Sequence, residues 1–218
     1  MQESSKKTFN HLKIHTQYSI CEGAVKIEDL KNYCKDNKIK CVGLSDTSNL
    51  CGSLEFSENI SKSGTQPIIG TQILFNLNNE IGLLPLIAKS EIGYKKIVDL
   101  SSKSYLANTE TSDPHCKFED LLENTNDIIL FSGSINGLAG KLFNKGKFEE
   151  IEEVYKILKK KFKDCFYIEI QRHNDQNEKV FENFNLNLSK KLDIPIIATQ
   201  EVYYLDKSIH DAHDALIC

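Results

Sequence analysis

Six His and 31 Asp+Glu are the side chains best suited to hydrolytic or metal chemistry in this 218-residue chain, and their spacing limits what they can do. His11 and His15 lie in a short, roughly alternating segment, Phe9–His15. On a strand, side chains four apart share a face but stand about 13 Å apart. The two cannot grip one ion unless the strand breaks, so His11 reads as structural. In His210-Asp-Ala-His213-Asp214, His210 and Asp214 fall on one helical face. That pair makes a weak metal site and a better surface or domain-contacting helix. His115 closes a loop-like stretch from Asn108 that is rich in Thr, Ser, Asp and Pro. A hydrolytic metal centre needs several His and carboxylates per ion, and none of these local groups supplies them alone.

Other chemistries are weaker still. The run from Gly140 to Gly146-Lys147-Phe148 resembles a phosphate loop, but its glycines are one residue too far apart. Phe148 also stands where a magnesium-binding hydroxyl is needed. The run Gly133-Ser-Ile-Asn-Gly137-Leu-Ala-Gly140 lacks the dinucleotide spacing, and no GxSxG nucleophile elbow occurs.

The elements that must position any site follow from periodicity. Ile27, Leu30 and Cys34 repeat at helical spacing, Cys41–Leu44 reads as a strand, and Leu54–Ile60 as a helix ending near Gly64. Strands are expected at Ile68–Phe75 and Leu83–Ala88, the second demoted to a sheet edge by Pro85. Ile92, Ile97, Leu100 and Ser104 mark a helix, then Ile128–Phe131 a strand. Phe148, Ile151, Val154, Tyr155, Leu158 and Phe162 form the clearest amphipathic helix, with Lys159, Lys160 and Lys161 on its solvated face. Phe166–Ile170 is a strand, Val180, Phe184, Leu188 and Leu192 a helix, Pro195–Thr199 a last buried strand, and a final helix starts near Asp206. Alternation of this kind predicts parallel βαβ units, and their number fits a small barrel. Polar chemistry then gathers at the strand C-terminal ends. His15, Asp46, Gln72, Ser132–Ser134, His173 and Glu201 each end or follow a strand, which predicts one shared pocket.

Composition bounds the partners. The 27 basic residues include one Arg, Arg172, and the net charge is −4, so a DNA-gripping surface is not expected in this segment. Seven Cys without a CxxC pair suit a reduced, cytoplasmic protein. No apolar run approaches the ~20 residues of a membrane span, so no membrane partner is expected.

In order along the chain stand Phe9-Asn-His-Leu-Lys-Ile-His-Thr-Gln-Tyr-Ser19, Glu22-Gly23, Leu44-Ser-Asp-Thr-Ser-Asn-Leu-Cys-Gly52, Pro67-Ile-Ile-Gly70, Glu169-Ile-Gln-Arg-His173 and Ala198-Thr199. Together with the closing Asp211-Ala-His-Asp-Ala-Leu-Ile-Cys218, they resemble the N-terminal PHP (polymerase and histidinol phosphatase) domain of bacterial DNA polymerase III alpha subunits. The resemblance implies an α/β fold, a distorted (βα)7 TIM-like barrel, over 9–205. Residues 1–8 would be a disordered or tag-like N-terminus, and 206–218 the start of a connection toward a polymerase body.

Active members of that family hold metal ions and hydrolyse phosphoesters. Carried across by the resemblance, the opening His pair is Lys13 and His15, the acidic loop position is Glu22, and the Asp-His pair is Asp46-Thr47. Gln72 stands for a Glu, Leu83 for a His and Ser134 for a Cys or His, and Glu201-Val202-Tyr203 replaces the final Asp-x-His. Only His15, Glu22 and Glu201 would still ligate well. Lys13 could put its ammonium where a cation would sit and pair with Glu22 or Glu201. Asp46 and His173 read as loop-fixing hydrogen-bonders. The pocket is therefore expected to be vestigial, with no catalytic residue and no cofactor in this segment; magnesium would serve the polymerase chemistry of the parent chain. The resemblance further implies a scaffold that docks a proofreading 3′–5′ exonuclease subunit, alongside other polymerase III holoenzyme subunits, with DNA held by other domains of the parent. The alternative is a residual metal-dependent phosphoesterase or pyrophosphatase.

Overall fold

A computed structural model describes residues 9–107, 113–123 and 125–217. The N-terminal segment 1–8 and positions 108–112 of the expected surface loop lie outside the described residues. In chain order the elements are β1 (Lys13–Ile14), α1 (Ile27–Asp36), β2 (Cys41–Thr47), α2 (Ser53–Lys62), β3 (Gln66–Leu77), β4 (Glu80–Ala88) and α3 (Glu91–Leu106). There follow β5 (Cys116–Lys117), α4 (Phe118–Glu123), β6 (Ile128–Phe131), α5 (Leu138–Asn144), α6 (Phe148–Phe162), β7 (Phe166–Ile170) and α7 (Glu178–Leu192). The last are β8 (Ile196–Ala198), β9 (Glu201–Val202) and α8 (His210–Ile217).

The strands form one sheet in the order β8-β7-β6-β4-β3-β2-β1-β9, with β5 attached to β3. Only Thr199 and Gln200 separate β8 from β9, so the chain itself joins the two ends of that order. Ile196–Ala198 pairs with β7 and Glu201–Val202 with β1, making one split stave. The result is a distorted TIM-like barrel whose seam closes through two residues of backbone.

Strand alternation sorts the side chains into two layers. Ile14, Val42, Leu44, Ile73, Phe75, Phe166 and Ile168 face the helices, where all are buried. They pack with Ile27, Leu30, Phe56 and Ile60 on one side of the barrel, and with Ile97, Leu100, Leu142, Tyr155 and Phe181 on the other. The opposite sides of the same strands carry Lys13, His15, Ser45, Gln72, Glu169 and Gln171, which are also buried. The hydrophobic core thus lies between staves and helices, and the lumen is polar.

Three expectations need correction. First, the strands are not all parallel: β4 runs antiparallel to β3 and β6. A two-residue turn, Asn78-Asn79, links β3 to β4 with φ of +50° and +67°. Positive φ at both turn residues matches the right-handed twist of a hairpin, and Asn tolerates it. Second, Pro85 lies opposite Gln72 inside the sheet rather than at an edge. Its missing N–H costs little, because the Gln72 carbonyl accepts from Ser48 N–H (2.7 Å) and the ladder to β6 stops at Leu86. Third, β8 is short and Ile196 is 41% exposed, so the last strand is not buried. The α7 face is largely as expected: Leu188 is buried, Phe184 and Leu192 pack partly buried against the core, and Phe181 and Asn185 join them, while Val180 points outward.

Gly82 shows how tightly β4 meets the helix behind it. A Cβ there would lie 2.4 Å from Leu138 Cα and 2.5 Å from Leu138 N, both backbone atoms at the start of α5. Gly82→Ala is expected to lower stability by roughly 1–3 kcal/mol through forced backbone shifts, read as a lowered urea midpoint followed by circular dichroism. An unchanged midpoint would contradict this packing.

Candidate functional site

The lumen floor is built around Lys13, whose side chain is 1% exposed. β1 aims it inward, between β9 and β7. Its Nζ donates to Glu201 Oε1 and lies 3.1 Å from Glu169 Oε1. The two N–H groups of Gln171 Nε2 are shared among Glu169 Oε1 (3.1 Å), Thr199 Oγ1 (3.0 Å) and Glu201 Oε1 (3.1 Å). Thr199 Oγ1 in turn donates to Glu169 Oε1. Burial alone would lower the Lys13 pKa, but the charges of Glu169 and Glu201 and their hydrogen bonds outweigh it and hold it above the ordinary lysine value. For Glu201, burial pushes the pKa upward. The Lys13 charge and the His15 hydrogen bond overcome that push and keep the carboxyl well below the usual range.

Above this floor, His15 Nε2 donates to Glu201 Oε2 at 2.7 Å. Gln72 Nε2 donates to the same oxygen at 3.2 Å and lies equally close to His15 Nε2. With the imidazole proton directed at Glu201, that last approach is a contact and not a bond. His15 stacks on Tyr203, with centroids 4.5 Å apart and planes 23° apart. Burial, followed by the charges of Glu201 and Glu22, pushes the Tyr203 phenol upward. Glu22 accepts from Thr47 Oγ1 and is 3.8 Å from His15 Nδ1. Lys13 therefore pairs with Glu201 as expected, but with Glu169 in place of Glu22.

His15 and its neighbours open into a cavity of ≈ 310 Å³, which Lys13 and Glu169 do not line. His15, Glu22, Gln72, Ser134, His173, Glu201 and Tyr203 all line it, as do Thr47 and Leu83. Asp46 does not. It is fully buried beside the cavity and accepts from Thr16 N (2.6 Å), Thr16 Oγ1 (2.8 Å) and Ser19 Oγ (2.7 Å), which fixes the loop after β1. His173 is exposed at the rim. Its loop is fixed through its backbone N–H, which donates to the Glu178 carboxylate, and not through its ring. Gln72 sits inside β3 rather than at its end, because the hairpin extends that strand to Leu77. His11 does not line this cavity; it lies in a surface groove beside Tyr33 and Tyr204 that shares His173, Glu201 and Tyr203 with it. His210 and Asp214 do share an exposed face, 3.7 Å apart.

Glu169, Gln171 and Thr199 belong to the floor but were not among the expected pocket residues. Each lies in a string that carries the family resemblance, and the period-2 alternation of Glu169 and Gln171 on β7 marks both as inward-facing. The spacing of His210 to Asp214 predicts a surface or domain-contacting helix, and His213 makes the contact. It is buried, donates from Nε2 to the Glu22 carbonyl at 2.6 Å, and packs against Tyr203 and Tyr204.

The donor set does not suit a resident metal ion. The Lys13 ammonium stands between the two carboxylates of the floor, Gln72 is neutral, and the ring nitrogen of His15 nearest Glu201 is engaged with it. Among the described residues, no three His, Cys, Asp or Glu converge well enough to hold one ion. What this arrangement does chemically is neutralise buried carboxylates and cross-link β1, β7 and β9.

A family model described as the PHP domain matches residues 11–173. The chain is 37% identical over 213 residues to DNA polymerase III subunit alpha of Rickettsia bellii (strain RML369-C), covering 96% of this chain and 18% of that one. It is 33% identical over 226 residues to the same subunit of Caulobacter vibrioides (strain NA1000 / CB15N), covering all of this chain and 20% of that one. The chain thus spans about a fifth of the length of these curated relatives. Among solved structures, a two-domain protein containing a predicted PHP-like metal-dependent phosphoesterase, from Bacteroides vulgatus ATCC 8482, aligns with a TM-score of 0.56 at 12% identity. That alignment covers 93% of this chain and 55% of the other. An amidohydrolase from Chromobacterium violaceum aligns with a TM-score of 0.59 at 8% identity, over 96% of this chain and 97% of that one. At such identities the two structures speak for the fold alone.

Removing one member of a buried ion cluster strands the others, at a cost of about 3–5 kcal/mol. Lys13→Met is therefore expected to destabilise the chain by that amount in chemical denaturation, and a loss below ~1 kcal/mol would sink the assignment. The pH dependence has a definite sign. Glu201 is depressed in the folded state, so its contribution is present above the unfolded carboxyl pKa, ~4.3, and is lost as pH falls toward the folded value. Lys13 is raised, so its contribution is complete below the unfolded lysine pKa, ~10.4, and is lost as pH rises through the folded value. Glu201→Gln should flatten the acid limb of the stability profile; an acid limb as steep as that of the parent would refute the assignment.

Proposed function

The chain belongs to the PHP domain family, and we propose that it serves as the N-terminal barrel of a replicative DNA polymerase III alpha subunit. The observation that carries this reading is identity of 33–37% to such subunits across nearly the whole chain. In the parent, DNA synthesis is a two-metal phosphoryl transfer dependent on magnesium. We assign that chemistry, and the grip on DNA, to other domains of the parent chain. A net charge of −4 with one Arg supports that division.

For the barrel itself we propose a catalytically silent scaffold that supports the polymerase core and docks the proofreading 3′–5′ exonuclease subunit in the cytoplasm. The Lys13–Glu169–Glu201 cluster supports the silent character, because it spends the floor carboxylates on an internal cation. The chain alone should not extend a primed template. It should bind the cognate exonuclease subunit in a pull-down or calorimetric titration, and absence of binding at micromolar concentration would overturn the docking role. Elemental analysis and a Mn²⁺- or Zn²⁺-supplemented phosphoesterase assay address the silent site. We expect neither stoichiometric metal nor turnover; turnover abolished by His15→Ala would establish a residual phosphoesterase instead.

A further inference from the structure

Two buried side-chain atoms among the described residues have no hydrogen-bond partner: Glu169 Oε2 and Asn185 Nδ2. They come from different elements, β7 and α7, and both residues are 1% exposed. Both also line the same small cavity, of ≈ 10 Å³, together with Ile135, Phe181 and Ser134, and with Glu178 and Glu182, whose carboxylates are engaged by the His173 and Asn174 N–H groups and by Arg172. The remaining polar atoms of the two side chains are engaged. Glu169 Oε1 serves Lys13, Gln171 and Thr199, and Asn185 Oδ1 accepts from Tyr155 OH at 3.1 Å.

One acceptor and one donor therefore face a space about as large as a single water needs. We infer that one buried water bridges them, accepting from Asn185 Nδ2 and donating to Glu169 Oε2. A metal cation does not match this donor set, because Asn185 presents an N–H and Lys13 already faces the other carboxylate oxygen. An apolar occupant would leave both atoms unpaired, which is costly at such burial. The water site also gives a reason for Asn, a poor helix former, on the buried face of α7 where Phe181 and Leu188 are its neighbours. It extends the lumen network outward from Lys13 through Glu169 and Asn185 to Tyr155 on α6.

A crystal structure of the 218-residue chain at a resolution that shows ordered solvent tests the inference directly. A solvent peak within hydrogen-bond distance of both atoms is expected. Absence of a peak, a direct Glu169–Asn185 bond, or a peak at metal–oxygen distance from Glu169 would each overturn it. In solution, oxygen-17 relaxation dispersion counts long-lived internal waters. Folded Asn185→Leu should show one fewer than the parent, and an equal count would refute the bridge. If that variant does not fold, the parent crystal structure decides alone.

Discussion

A fully buried lysine cannot be left alone, and much of this barrel follows from how Lys13 is accommodated. Taking an ammonium out of water costs several kcal/mol even after relaxation, and only close, hydrogen-bonded counter-charges recover it. Lys13, on β1, obtains them from β9, half of the split stave, and from β7 on the stave's other side. The ion cluster thereby does across the seam what a continuous ladder does elsewhere in the sheet. Gln171 and Thr199 then become necessary, since they satisfy carboxylate oxygens that one lysine cannot saturate.

A polar lumen has a cost for the rest of the fold. In small parallel barrels the interior is ordinarily filled by layers of branched apolar side chains. Here those positions carry Lys, His, Gln, Glu and Thr, so apolar burial has to come from the layer between staves and helices. That layer divides into two clusters, one under α1 and α2 and one under α3–α7. Each helix is amphipathic because it covers one side only, and the strands alternate because they separate two unlike environments.

This division explains what was legible in advance. Helices such as α6 were readable because Ile151, Val154, Tyr155, Leu158 and Phe162 repeat at the helical period and are all buried. The pocket was readable because its residues sit near strand ends in strings that resemble a known family, and most of the named positions do meet in one cavity. The β3–β4 inversion is not legible in the sequence: Asn78-Asn79 carries no glycine, and Pro85 speaks against an interior strand. Both are resolved by particular local partners, namely positive φ at the two Asn and Ser48 N–H at the Gln72 carbonyl. The role of Glu169 is hidden in the sequence for a different reason. Its partners Lys13 and Glu201 are brought to it only by the closure of the barrel, and no spacing along the chain encodes that.

The inverted hairpin also divides the barrel in entropic terms. β3 and β4 meet through a two-residue turn, so their ladder forms at almost no loop-closure cost. β1 and β9 join Lys13 to Glu201, 188 positions apart, and carry the longest closure in the sheet. Assembly governed by closure entropy begins at the local hairpin and ends at the seam. The buried charges then become dehydrated only in the last step, when both of their counter-ions have arrived.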